Sequence, residues 1–336
     1  MKTRCRTVVF VLILSALLWT PGVFAADEAM LQICLAAHAD YSPVYATRSI
    51  PASAQEVTAV FRFSPGETHK KIIGKWIAVD VGTAAPPNHV MITKTLEGEA
   101  TKGRVSIELP RALPVGKYRL EVEADGKAWK SAEFNVVPDL PAPTLAGPEA
   151  LLPLKQGQRW NYDFVQQAGP GAKIDWPGVK PDAEGRYHAK VSISVAGSDA
   201  AGQHLEMRRN GQMVFEEWWR LDQKGLSSTK KKAGDEVSVL DPPQVLLPWP
   251  LKVPNTWSYS QRNGPLRQTY TLWGPVPVKA SGGDKPGYVV FVEQPLGTMT
   301  VTVERHFLPG VGLVREIIIT GLDHDMVARQ EMVLTP

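Results

Sequence analysis

Cysteine is almost absent from this chain, with two in 336 residues, Cys5 and Cys34. Cys5 falls in a segment read below as a cleaved leader, so one thiol remains and a disulfide framework within the chain is excluded. Cys34 in Leu31-Gln-Ile-Cys-Leu35 reads as a buried strand position. Histidine is sparse too: seven, scattered from His38 to His324, make no HxxxH or HxH spacing, and no CxxC occurs. Asp323-His324-Asp325 is the one tight trio, and on a turn its side chains diverge, which favours a solvated tip over a metal site. A Gly-x-Ser-x-Gly elbow is missing, although a dispersed triad stays open. No phosphate-cradling glycine loop occurs, because Gly310-Val-Gly312 leads into a strand and not a helix. No metal and no cofactor is therefore expected, and no stretch beyond about ten residues keeps a clean helical period.

An excess of one charge is lacking as well. The formal net charge is +3, from 37 basic and 34 acidic residues. Lys2, Arg4 and Arg6 all lie in the leader, and taking those three away leaves 34 basic residues against 34 acidic ones. A near-neutral mature chain has no global attraction for nucleic acid or anionic lipid. The run Lys230-Lys231-Lys232 reads as a solvated hairpin tip.

What is present begins with that leader. A charged start, an apolar run from Val8 to Trp19 and Val23-Phe24-Ala25 before Ala26 make residues 1–25 a secretory signal peptide. No second run of spanning length follows, so no transmembrane segment is expected after cleavage, and the mature protein should be periplasmic or secreted.

From Leu31 to Val137 the text is strand-like. Val57 to Phe63 and Ile72 to Val81 alternate apolar and polar residues, as do Val90, Ile92 and Val105, Ile107, Leu109. In Tyr118 to Glu123, Tyr118, Leu120 and Val122 share one face, and Asp125-Gly126 marks a type I′ hairpin. Seven or so short strands in about a hundred residues fit an immunoglobulin-like sandwich. Phe61-Arg-Phe63, Lys75-Trp76 and Leu113-Pro-Val-Gly-Lys-Tyr118-x-Leu-x-Val122-x-x-Asp125-Gly126, ending at Phe134-x-Val136, resemble a widespread Ig-like module of exported bacterial proteins. That resemblance implies an Ig-like β-sandwich over 26–137 in a bacterial surface or periplasmic setting, and it brings no catalytic residue. Residues 138–149, rich in proline, read as a stiff linker.

The remainder, 150–336, is organised by a repeated stretch. Pro153-Leu154-Lys155 is followed by Trp160 and Tyr162, and Pro250-Leu251-Lys252 by Trp257 and Tyr259, with Leu151, Leu152 and Leu246, Leu247 just upstream. The repeat implies two related β units, each with its Trp-x-Tyr rings on one strand face. Pro254 stands where the first copy has Gly157, so the two turns need not share a geometry. Between the copies, Ala168 to Gly185 is a Gly/Pro-rich excursion of the kind that is functional or disordered, and Asn210-Gly211 is a second I′ signal. Leu152 to Tyr162 together with Phe307-Leu-Pro-Gly-Val-Gly-Leu-Val-Arg315 resembles a loose group of uncharacterised exported bacterial proteins. The sheet this implies is similar to the half-barrel of periplasmic lipoprotein carriers. The fold class expected is thus all-β: an Ig-like β-sandwich, then an antiparallel curved sheet or half-barrel.

Seven of the ten tryptophans fall in this second domain. Adjacent Trp218 and Trp219 must face opposite sides of a strand. Packing of a disulfide-free core accounts for such rings, and a ligand surface built from Trp160, Tyr162, Trp218, Trp219, Trp257 and Tyr259 is the functional alternative. The expected function is a non-catalytic binding or assembly protein of the bacterial envelope that holds an apolar ligand, a glycan or a protein partner. The competing class is a secreted hydrolase using dispersed carboxylates at Glu206, Glu216 and Glu217.

Overall fold

A computed structural model describes residues 29–108, 112–174, 176, 178–262, 264 and 266–335. The leader, with Cys5, and Leu109 lie outside the described residues. The chain divides into two compact units, one running to Ala142 and taking in the short stretch Trp273–Val276, the other covering Pro143–Leu272 and Pro277–Pro336. Both are built of β-strands, and no helix among the described residues is long and apolar enough to cross a membrane.

The N-terminal unit contains β1 (Met30–Cys34), β2 (Ala36–Ala37), β3 (Pro43–Val44), β4 (Ser49–Pro51) and β5 (Glu56–Arg62). It continues with β6 (His69–Asp80), β7 (His89–Ala100), β8 (Lys102–Glu108), β9 (Gly116–Ala124) and β10 (Lys127–Val137). A three-stranded sheet runs β1-β5-β8, and a five-stranded sheet runs β4-β10-β9-β6-β7. The predicted alternation in β9 is realised: Tyr118, Leu120, Val122 and Ala124 are buried while Arg119, Glu121 and Glu123 are not. Asp125 (φ 48°) and Gly126 (φ 78°) close the I′ turn into β10. The sheets meet closely enough that a methyl group on Gly74 in β6 would lie 2.8 Å from Val105 in β8. Cys34 is buried on β1, its Sγ 3.5 Å from the Thr58 carbonyl oxygen.

The C-terminal unit is one antiparallel sheet. Its first six strands are β11 (Arg159–Ala168), β12 (Arg186–Asp199), β13 (Gly202–Arg209), β14 (Gln212–Asp222), β15 (Gly225–Ala233) and β16 (Glu236–Pro248). Its second six are β17 (Asn255–Ser260), β18 (Arg267–Ala280), β19 (Gly283–Leu296), β20 (Met299–Leu308), β21 (Gly312–Leu322) and β22 (Asp325–Leu334). The order is β16-β15-β14-β13-β12-β11-β22-β21-β20-β19-β18-β17, so β11 pairs with β22 and the free edges, β16 and β17, are consecutive in the chain. Twelve strands that twist in one sense bring those edges together. The sheet is nearly closed and barrel-like, further round than half a barrel.

Isolated contacts, with no ladder among the described residues, hold the seam. Trp257 Nε1 donates to the Val245 carbonyl oxygen at 3.0 Å, and Arg262 meets Asp241 through its backbone N–H (3.0 Å) and its guanidinium (3.1 Å). The run Lys230 to Lys232 corrects an expectation: it is the interior of β15, and the tip lies beyond it at Gly234. Carboxylates and a ring on the neighbouring strand, invisible to a local reading, take each lysine. Lys230 lies 4.0 Å over the Trp218 ring, Lys231 is 3.4 Å from Glu217, and Lys232 is 2.7 Å from Glu216.

Gly225 opens β15 at φ 116°, and a Cβ there would lie 2.1 Å from the Leu247 carbonyl oxygen. Gly225→Ala is therefore expected to destabilise the protein by about 2–3 kcal/mol, read as a lower urea midpoint at unchanged slope.

Candidate functional site

The sheet encloses a cavity of about 690 Å³. Alternate residues of each strand point into it: Val301, Val303, Arg305 and Phe307 from β20, Phe164 and Gln166 from β11, Gln268 and Tyr270 from β18. Bulges adjust the phase. In the β20–β21 ladder His306 faces Arg315 but Phe307 faces Leu313, so Val314 is the extra residue, and both Leu313 and Glu316 line the interior. That shift sets Glu316 directly opposite Arg305.

One end of the barrel is filled. Leu151, Leu152, Trp160, Tyr162, Leu205, Leu272 and Val290 belong to one buried apolar cluster. Trp160 Nε1 donates to the Val311 carbonyl oxygen (2.8 Å) and the Tyr162 hydroxyl to that of Leu313 (2.9 Å). Tyr162→Phe strands a buried carbonyl and is expected to cost about 1 kcal/mol in a urea unfolding titration.

At the other end the excursion after β11 folds inward, so it is ordered by contacts despite its composition. Trp176 meets Phe164 edge to face with ring centres 5.9 Å apart, lies 5.7 Å from the Tyr187 ring and carries the Arg209 guanidinium 4.3 Å from its own centre. Tyr187 donates its hydroxyl to the Ile174 carbonyl oxygen at 3.0 Å. Ile174 and Trp176 both line the cavity. Asp175 and Pro177, which flank Trp176, lie outside the described residues.

Between the ends the wall is mainly apolar, with polar groups set into it. Gln244 donates to Gln268 Oε1 and to the Tyr270 hydroxyl (2.7 Å), which donates to Gln268 Oε1 (2.7 Å), and Gln268 donates to Gln294 (2.7 Å). This chain crosses the seam from β16 to β18 and β19. Burial pushes the Tyr270 hydroxyl up to about 12. Arg305 Nε donates to Glu316 Oε2 at 2.6 Å. Arg305 is enclosed by the barrel, yet 25% of its side chain is accessible because it borders the cavity. Burial works against its charge, and the Glu316 carboxylate, helped by Tyr270 and Glu217, outweighs burial, so the guanidinium is held above its ordinary range.

The six aromatic residues singled out from sequence are dispersed. Trp219 lines the cavity. Trp160 and Tyr162 fill the closed end. Trp257, stacked on Tyr270 at 5.0 Å, clasps the seam, and Tyr259 is buried beside it in the same strand. Trp218 faces the outside of the wall, sandwiched between His204 (4.3 Å) and Lys230, with Nε1 donating to Asp199 (2.9 Å). The residues that a sequence reading passed over are Arg305, Glu316, Gln166, Gln244 and Trp176. Their signal was available: Arg305 shares its phase with Val301, Val303 and Phe307, and Gln166 shares one with Tyr162 and Phe164. A polar residue on the buried phase of a strand points into an interior that must accommodate it.

The three carboxylates weighed for hydrolysis do not converge. Glu206 and Glu216 are cross-strand partners on the outer face, while Glu217 points into the cavity. Glu216 takes hydrogen bonds from Lys232 (2.7 Å) and His204 (2.8 Å), and Lys232 first, then His204, hold its carboxyl below the usual range against burial. An acid held ionised cannot protonate a leaving group at neutral pH. Its sign for stability follows: a lowered native value means a contribution present above the unfolded carboxylate range and lost as pH falls through the native one. Glu216→Gln is expected to reduce the difference in urea midpoint between pH 6 and pH 3, which the parent shows in full.

Compared with known protein families, curated proteins and solved structures, the chain matches none.

Proposed function

We propose that this is an exported, non-catalytic binding protein of the bacterial envelope whose C-terminal barrel holds a ligand with a hydrocarbon body. One observation carries the reading: an interior space of about 690 Å³, within the range of small-molecule sites, walled by aliphatic and aromatic side chains with a few fixed polar groups. Close packing normally leaves no such void in a protein of this kind. The leader over residues 1–25 supports export.

The N-terminal unit serves as an adaptor with an immunoglobulin-like fold. Its support is the parallel pairing of β4 with β10 beside antiparallel β10-β9-β6, and buried Trp76 on β6 against Phe134 at 5.9 Å. Tyr118 at the start of β9 donates its hydroxyl to the Pro114 carbonyl oxygen at 2.7 Å, the reach-back of a tyrosine corner. The barrel itself is read as a duplication. Each Pro-Leu-Lys copy leads into the first strand of a run of six, β11–β16 and β17–β22, and the first strand of each run lies beside the last of the other.

The test uses the full mature chain and an uncharged naphthylamine dye that brightens in apolar surroundings. The dye should bind at one site per chain. Ala328 projects into the cavity from β22, and Ala328→Trp should weaken the dye by at least about tenfold while the protein stays folded by circular dichroism. Val303→Phe is a second filling variant should the first misfold. Dye binding that neither variant weakens, or no binding at all, would overturn the reading.

A further inference from the structure

The cavity wall is electrically balanced. Three cations, Arg209, Lys231 and Arg305, face three carboxylates, Glu217, Glu236 and Glu316. Each cation is already engaged: Arg209 lies on Trp176, Lys231 is 3.4 Å from Glu217, and Arg305 is bound to Glu316 at 2.6 Å. A carboxylate or phosphate brought to Arg305 would meet Glu316 in the same step, and the two like charges would repel. An ammonium group seeking Glu316 meets Arg305 in the same way. The Arg305–Glu316 and Lys231–Glu217 pairs therefore offer a ligand no free charge, while Arg209 has the Trp176 ring for its partner and Glu236 is exposed at the rim of the wall.

Neutral hydrogen bonding is what the wall leaves unused. Gln166 and Gln330 are cross-strand partners on β11 and β22, and Thr320 stands on the next strand, β21, two residue pairs further along. All three line the cavity, and Gln166 and Thr320 are 8% and 9% exposed. None of the three side chains has a hydrogen-bond partner among the described residues, and their polar atoms are open to the enclosed space. An amide left without partners in an interior is costly where an apolar residue of the same size would fit, so two side by side, with a hydroxyl next to them, form a recognition surface awaiting its complement. Each amide presents both a donor and an acceptor. The fitting partner likewise carries both, and no net charge.

Resting on the reading of the barrel as a ligand holder, we propose that the ligand is an uncharged amphiphile. Its hydroxyl- and carbonyl-bearing head is held by Gln166, Gln330 and Thr320, and its hydrocarbon body lies along Val303, Ile318 and Met332. Selectivity arises because a charged head seated on Gln166, Gln330 and Thr320 must shed its water without gaining a counter-charge from them.

The experiment is competition against the bound naphthylamine dye at pH 7 by three compounds of one chain length: a monoacylglycerol, a fatty acid and an alkylamine. The monoacylglycerol should compete at least about tenfold more tightly than either charged compound. Gln166→Leu and Gln330→Leu should each weaken it by about five- to tenfold relative to the dye measured on the same variant, with unfolding midpoints equal to the parent's or higher. A fatty acid or an alkylamine that competes as well as the monoacylglycerol would overturn the neutral-head proposal while leaving the barrel a ligand holder. So would a monoacylglycerol that fails to displace bound dye, or leucine variants that compete unchanged. Failure of the dye to bind strikes the ligand-holder reading itself, which the filling variants test separately.

Discussion

Glu316→Leu is expected to lower the unfolding free energy by about 3 kcal/mol, the largest effect of any single charge removal in the barrel. Glu316 is 8% exposed and is the only hydrogen-bond partner of Arg305 among the described residues. Without it the guanidinium keeps its charge, because arginine does not deprotonate in proteins, and remains enclosed with no counter-charge at contact distance. The expected cost is at the lower end for buried pairs because the cavity bordering Arg305 admits water. Replacing both partners, Arg305→Met with Glu316→Leu, should recover most of the loss, since two apolar side chains need no compensation. Urea titrations of the parent, both single variants and the double variant close the cycle. A Glu316→Leu midpoint equal to the parent's would show that Arg305 is solvated like a surface residue, and the balanced wall on which the neutral-head proposal rests would fall with it.

How much of this was legible in the sequence differs by distance along the chain. Alternation over five or six residues gave the faces of β9, and the Asn210-Gly211 and Asp125-Gly126 turns carry the positive φ values that such pairs adopt cheaply. These signals are local, and the physics behind them is local. Pairing between β11 and β22 joins residues such as Tyr162 and Leu334 across almost the whole unit, and no periodicity within either strand encodes the partner. The near closure of the sheet follows from that pairing, which is why a half-barrel was the expectation and a twelve-stranded, nearly closed sheet is the result. The lysines of β15 were misplaced for the same reason, since the carboxylates that fix them belong to β14. The interior polar residues fall between the two cases. Their phase was readable, and only the enclosing wall converts a glutamine on the apolar phase from an anomaly into a ligand contact.

The two Trp-x-Tyr copies give the second large effect. Trp160→Ala is expected to cost about 3–5 kcal/mol, and Trp257→Ala about half as much. Trp160 is 6% exposed within the apolar cluster that fills the closed end, where Leu151 and Leu152 from the chain entering the barrel pack with it. Its removal opens a void that those leucines, tethered by the Gly310 N–H to Ala150 carbonyl bond (2.7 Å), cannot collapse to fill. Trp257 occupies the equivalent place in the second run of strands, but there the neighbouring ladder is absent, and its ring bridges an edge by stacking on Tyr270 and bonding to Val245. The same residue type is thus fixed by packing in one copy and by an edge contact in the other. Trp257→Ala should also free the amides next to the seam, seen as faster hydrogen exchange in β16 and β17 with little change in β11 and β22. Equal losses from the two substitutions, with exchange unchanged at the seam, would mean that β16 and β17 are joined as firmly as β11 and β22. The duplicated motif would then do one job twice.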